Sequence, residues 1–214
     1  MARELSMMIM TKEENMNRFL IEDTPQKIAS SLCDQHVVKM PLEEAQMLCT
    51  ALWHHAPSYA EEKNLYKPVH QKHPCTLWAM ECRMNYMWAT NLYIAMLQEY
   101  TKRYNKTHGA SKHYDAIVLG AEYIPDTTTS ITPHPQCFSG HDELKTDEDF
   151  PIQAYRSFYI VDKMKFARYK YTERPDWFYE EDKHIACFSY PNCDIAPLGC
   201  VVARGSNAES YGHR

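Results

Sequence analysis

The sequence predicts an all-α fold: one compact helical domain around a long central helix, with long loops and a short N-terminal extended segment. Three observations carry this expectation. Large apolar residues recur at helical spacing over long stretches. Prolines and capping residues (Thr24-Pro25, Pro57, Pro74, Pro151) punctuate the chain where helices start. There is no strong β-hairpin signal and no internal repeat. At 214 residues and 44% hydrophobic composition, the chain suits one sizeable core rather than two full domains.

Residues 1–16, Met-rich and then Thr11-Lys12-Glu13-Glu14, read as an N-terminal extension with a second possible start at Met16. The domain is placed at 17–199. Asn17 to Asp23 is a short apolar run of extended character, and Thr24-Pro25 reads as an N-cap with proline at the first helical position, opening a helix from about 25 to 34. The next helix runs from Leu32 through Trp53-His54-His55. On its wheel Val37, Val38, Leu42, Ala45, Leu48, Cys49 and Leu52 share one side, the expected core, and His36, Lys39, Glu43 and Gln46 line the other. Pro41 predicts either a kink there or a new helix with the proline in its first turn.

Residues 57–74 lose the pattern, and Tyr66 to His73 reads as a basic loop. Pro74 opens the longest helical segment, roughly 75–107. Its large residues, among them Leu77, Trp78, Met84, Trp88, Tyr93 and Leu97, fall around nearly the whole wheel, so it is the central buried helix. Lys102, Arg103 and Lys106 suit its C-terminus, with Gly109 just beyond. A short helix is expected over 110–122. The 124–150 stretch, with three prolines and a threonine run, is a long loop that is either a functional lid or a disordered insertion. Pro151 restarts a helix to about 171, Arg174 to Tyr179 closes it with an aromatic cluster, and 200–214 is a flexible tail.

Composition narrows function. No run of about 18 apolar residues occurs, so no membrane span is expected. The eight cysteines are irregularly spaced without Cys-x-x-Cys, which favours reduced thiols in the cytoplasm. A net charge of −5 means that any basic face must be local. Lys163, Lys165, Arg168 and Lys170, interleaved with Tyr155, Tyr159, Phe166 and Tyr169, are the main basic stretch, suited either to nucleic acid or to a solvated helix edge.

The row His36, Lys39, Glu43, Gln46 offers an imidazole, an amine, a carboxylate and an amide together, as acid-base chemistry needs and as any polar helix face also shows. Cys33-x-x-His36 with His73-Pro74-Cys75 has the donors for tetrahedral zinc, but its spacing matches no common zinc module. No metal and no cofactor are expected. Cys75 near a helix start suits a nucleophile or a buried cap. Glu99 and Arg103, four apart, read as an ordinary helical pair.

Several pieces in order resemble the phage pyrimidine-dimer DNA glycosylases of the endonuclease V type and their uncharacterised phage and bacterial relatives. Leu32-Cys33-Asp34-Gln35-His36, two apolar residues and a glutamate seven positions after the histidine are similar to that family's first helix. Glu99 to Asn105 is similar to the end of its second long helix, and Arg174-Pro175-Asp176-Trp177-Phe178-Tyr179 to its tail near the DNA. His73, Pro74 and Trp78 match the relatives more loosely.

The resemblance implies an all-α DNA N-glycosylase, with or without AP lyase activity, that excises or processes a modified or damaged base after flipping it. Its partner would be DNA or a nucleotide, with no membrane. Glu43 matches the catalytic glutamate, with His36 and Lys39 beside it, and Asp34, Gln35, Gln46, His73, Arg103 and Trp177 are candidate substrate-binding residues. The family's nucleophile is the α-amine of a processed N-terminus. Here the corresponding point is internal, near Glu22, so the nucleophile is a lysine, Lys39 being best placed, or water guided by Glu43. Leu42 and Gln46 stand where the family has arginines, and Glu180-Glu181-Asp182 makes the tail acidic. Alternatives are a base-modifying or nucleotide-processing enzyme on the same scaffold, or a non-catalytic module that binds nucleic acid or a protein.

Overall fold

Helix starts follow the capping chemistry. In a computed structural model that describes residues 17–179, the Thr24 side chain accepts from the Lys27 N–H and Pro25 begins α1 (Pro25–Ser31). The backbone turns extended at Leu32 and Cys33, three residues earlier than expected, and α2 (Asp34–His55) begins. Pro57 starts α3 (Pro57–Glu62), and Pro74 starts α4 (Pro74–Glu81) with the His73 ring accepting from the Cys75 N–H. α5 (Arg83–Tyr104) ends at Asn105, whose φ of 50° supplies the left-handed cap expected of a later glycine. A 3-10 turn at 109–113, α6 (Tyr114–Leu119) and a second 3-10 turn at 120–123 follow. After a long loop holding only a 3-10 turn at 142–144, α7 (Ile152–Phe158) runs into a single π turn, Tyr159–Lys163. The described residues are helical with no strand. None of their helices is long and apolar enough to cross a membrane. The expectations for 1–16, for the acidic run at 180–182 and for the tail from 200 lie outside the described residues.

Four local expectations are corrected. Pro41 neither breaks nor restarts a helix, since α2 runs through it. A proline there withholds an N–H from the preceding turn and crowds its carbonyls, and the His108 ring donates to the Val38 carbonyl at 3.0 Å from outside the helix. The long segment after Pro74 is two helices, broken at Cys82 (φ −155°, ψ 160°). There the loop competes for the backbone. Arg83 N–H donates to Pro125 O, and the Asn85 side chain donates to Trp78 O and Thr132 Oγ1 and accepts from Thr132 N–H. The last helix stops at Lys163 rather than about 171, because the following backbone serves α2. Phe166 O and Arg168 N–H bond the Gln35 amide, Arg168 O accepts from Asp34 N–H, and Lys170 N–H donates to Asp34 Oδ2.

The fourth correction concerns the wheel of α2. Val38 and Leu42 are 48% and 39% exposed, while Met40, Glu44 and Met47 are buried along with His36 and Glu43. The buried arc is therefore rotated toward the polar row, and the outer stripe is Gln35, Val38, Lys39 and Leu42. An acidic residue can face inward because Arg18 meets it. Arg18 Nε and Nη2 donate to the two Glu44 oxygens at 3.0 and 2.6 Å, with both side chains excluded from solvent. Fork-to-fork pairing of this kind satisfies both charges where water cannot.

α5 is the central helix, as expected. One end packs with Phe19, Ile21, Ile28, Met40, Tyr155, Phe158 and Phe178, and the other with Leu48, Leu52, Trp78, Tyr86 and Ile117, with Trp88 against both groups. Each such fully buried large side chain contributes roughly 1.5–3 kcal/mol relative to exposure. Asn17 to Ile21, without regular structure, is buried and lies against this core.

Candidate active site

The candidate catalytic residues lie on α2, where its outer stripe meets its buried arc. Lys39 and Glu43, one turn apart, are joined by an ion pair of 2.8 Å between Nζ and Oε1, the lysine side chain 51% exposed and the glutamate 12%. Glu43 Oε2 is buried and has no hydrogen-bond partner among the described residues. Burial raises the Glu43 pKa, opposed by Lys39 and by the Asn17 backbone N–H. A carboxylate so placed has one oxygen holding a cation and one buried oxygen whose hydrogen-bonding capacity is unused among the described residues. Gln46, half-buried, continues this face one turn on.

His36 lies deeper. Its ring stacks on Phe19 at 4.7 Å between centroids and meets Tyr159 and Phe166 edge-on. Nδ1 is 2.7 Å from the Tyr159 hydroxyl, which accepts from Cys33 N–H at 2.9 Å. Burial, with Lys163 and Lys39 adding to it, pushes the His36 pKa down to about 3. The imidazole is thus neutral near pH 7 and fixed by its ring contacts, an arrangement that suits the positioning alternative of its expected positioning or acid-base role.

The other candidates divide. Gln35 is exposed and bound to the 166–168 backbone, which brings the basic stretch expected at 163–170 against the N-terminal half of α2. Asp34 and Arg103 bind each other instead of facing outward. Arg103, with no side-chain exposure, donates to Asp34 at 3.2 Å, Glu99 at 2.7 Å, Leu32 O at 2.8 Å and Ser30 O at 2.8 Å. The Glu99–Arg103 pair is accordingly a buried lock between helices. Trp177 is buried, its indole donating to Glu22 at 2.7 Å with Arg156 over its ring. His73 sits at the start of α4 beside Cys75 and Cys137, apart from Arg103. Of the candidate residues, Lys39 and Glu43 are paired directly with each other, whereas His36, His73 and Arg103 each have partners of their own. Cys33 and His36 likewise share Tyr159 instead of completing a metal set with His73 and Cys75.

Sequence order within this region matches a known pattern. Residues 16–112 match the family model for pyrimidine dimer DNA glycosylase. The match bears out the resemblance and spans Asn17, the Lys39–Glu43 pair and α1 to α5; the 124–150 loop, the basic stretch and the Arg174–Tyr179 motif fall beyond it. No curated protein and no solved structure gives a match.

Inside the matched segment, sequence reasoning missed Arg18 and Glu44. The signal was present in an arginine opening an apolar run and a second carboxylate adjacent to Glu43. It also missed His134, which lies outside the segment, is 3% exposed among Trp78, Trp88 and Tyr155, and has neither ring nitrogen hydrogen-bonded among the described residues. A histidine between prolines in a loop carries no sequence mark of burial.

Proposed function

We propose that this chain is a DNA N-glycosylase-type enzyme, with AP lyase activity, in which Glu43 is the central carboxylate and Lys39 the amine nucleophile. The observation that carries the reading is the Lys39–Glu43 pair, at 2.8 Å on the family-matched segment, with the second Glu43 oxygen buried and unbonded among the described residues. An ammonium cannot attack carbon, so Lys39 must first lose its proton. Glu43 is the adjacent acceptor, and its burial, by favouring the protonated carboxyl, eases that transfer. The neutral amine then attacks C1′ of the flipped nucleotide. The base leaves with the electron pair of the broken glycosidic bond and takes the proton that Glu43 received from Lys39. The C1′–O4′ bond then breaks, O4′ leaving with its electron pair and the proton shed by the attached nitrogen, and the ring-opened sugar remains on Lys39 as a protonated imine that ionised Glu43 stabilises. Lys163 and the cations after it, docked beside Gln35, supply the local positive face for phosphates that the overall charge of −5 does not. Gln46, half-buried on the same face of α2, is the polar side chain offered to the base, while the Gln35 amide holds the 166–168 backbone in place.

The test is borohydride reduction of the full chain with duplex DNA carrying either a pyrimidine dimer or an abasic site. A covalent protein–DNA product lost in Lys39→Ala, and turnover lost in Glu43→Gln with DNA binding retained, are expected. Unchanged turnover in Glu43→Gln rejects the site. A product still trapped in Lys39→Ala moves the nucleophile to another amine, and for that outcome a chain beginning at Asn17, whose α-amine would lie beside Glu43, is the comparison.

A further inference from the structure

Outside the Lys39–Glu43 site, three side chains from two distant segments of the sequence meet at the start of α4. His73 caps that helix, Cys75 lies in its first turn with no solvent exposure, and Cys137 comes from the 124–150 loop. Their ligating atoms lie within 4.8 Å of one another, and the two sulfurs are 3.7 Å apart. A disulfide needs about 2.05 Å between sulfurs. Two thiolates on a tetrahedral zinc, each about 2.3 Å from the metal, stand about 3.8 Å apart. The sulfur separation is the zinc value.

We propose that His73, Cys75 and Cys137 bind one zinc ion. The donor set is soft sulfur with one imidazole, which selects zinc over calcium or magnesium. The positions are held before any metal arrives. Pro74 stiffens the link between His73 and Cys75. The loop strand carrying Cys137 is fixed by Asn17 Nδ2 donating to Cys137 O at 2.7 Å, and by the Tyr155 hydroxyl, which donates to Pro135 O at 2.7 Å and accepts from Cys137 N–H at 3.3 Å. His73 Nδ1 carries a lone pair on the Cys75 side, where it now accepts from the Cys75 N–H at 3.2 Å. The metal takes that lone pair, and the cap hydrogen bond is given up. The thiols release their protons to solvent on binding.

Met47, one helical turn after Glu43 on α2, clusters with Cys75, and Cys137 packs against that cluster. The ion therefore clips the loop to α4 on the flank of α2 that also carries the carboxylate. Three protein ligands leave a fourth position for water or an anion.

The test uses the full chain, reduced and stripped with a chelator, then titrated with cobalt(II) and zinc(II) under anaerobic conditions. One metal per chain is expected, with a thiolate-to-cobalt charge-transfer band that zinc displaces. Cys137→Ser, in a loop and only half-buried, should keep the helical circular dichroism and lose the band. His73→Gln should weaken binding roughly tenfold or more. Wild-type chain that takes up no metal overturns the proposal. So does Cys137→Ser that binds as tightly as wild type, since the ion would then sit on other residues. A chain isolated with a Cys75–Cys137 disulfide that still takes up no metal once reduced overturns it as well.

Discussion

Burying His36 should make the protein acid-sensitive through one identifiable proton. The ring is 6% exposed, and burial with the neighbouring Lys163 and Lys39 holds its pKa down to about 3, Asp162 opposing weakly. An unfolded histidine titrates near 6.5. The folded state thus refuses a proton that the unfolded chain accepts, and His36's contribution is fully present above about pH 6.5 and lost progressively as the pH falls toward 3. One proton per molecule corresponds to about 1.4 kcal/mol per pH unit in that window, or roughly 2.5 kcal/mol between about pH 7 and pH 4.5. His134 and His113 are also held low by burial, so the wild-type decline contains more than this one group. His36→Asn isolates it, since the shorter amide can still meet the Tyr159 hydroxyl and does not titrate. Urea unfolding of both proteins, followed by circular dichroism at the two pH values, should show the stability advantage of wild type shrinking by about 2.5 kcal/mol on acidification. An advantage that is the same at both pH values refutes the argument that His36 is held neutral.

Arg103→Lys should lower the unfolding free energy by roughly 3 kcal/mol in chemical denaturation, because an ammonium cannot serve Glu99, Asp34, Leu32 O and Ser30 O together. Gly120→Ala should lower the melting temperature at a cost of about 1–3 kcal/mol, since its new Cβ would lie 2.7 Å from both Leu52 methyl carbons; Leu52→Ala in the same chain should relieve part of that clash. Asn105→Gly should leave the thermal midpoint unchanged or raise it, whereas Asn105→Ala should cost about 1 kcal/mol, as the backbone there is left-handed at φ 50°.

The sequence was legible where one residue decides the local structure. Thr24-Pro25, Pro57 and Pro74 each open a helix because proline suits a first turn whatever surrounds it. It was illegible where a distant partner decides. Cys82 breaks a helix because Pro125 and Thr132 claim the backbone and side chains around it, and nothing within 75–107 announces those partners. Helicity stops at Lys163 for the same reason, its successors being bound to Asp34 and Gln35. The buried arc of α2 is rotated from the expected one where Arg18, 26 residues before Glu44, makes that carboxylate an inward group. In the candidate site, the i,i+4 spacing of Lys39 and Glu43 was readable because it lies within one helix. The fates of His36, Arg103 and Trp177 were not, since their partners Tyr159, Leu32 and Glu22 lie 123, 71 and 155 residues away.

Those separations bear on how the chain leaves the ribosome. The carbonyls of Ser30 and Leu32 wait 73 and 71 residues for Arg103, the Ile21 carbonyl waits 135 residues for Arg156, and Asn17 waits 120 for Cys137. At common translation rates the interval before Arg156 is made is about ten seconds. Through that time Phe19, Leu20 and Ile21, all buried in the finished protein, have only the part of their core that α1, α2 and α5 supply. The first residues of the domain to be synthesised are thus among the last to settle. A newly made chain presents an apolar N-terminal segment to chaperones until α7 arrives, and a ribosome stalled before that helix should hold a protein whose first strand of core remains open to protease.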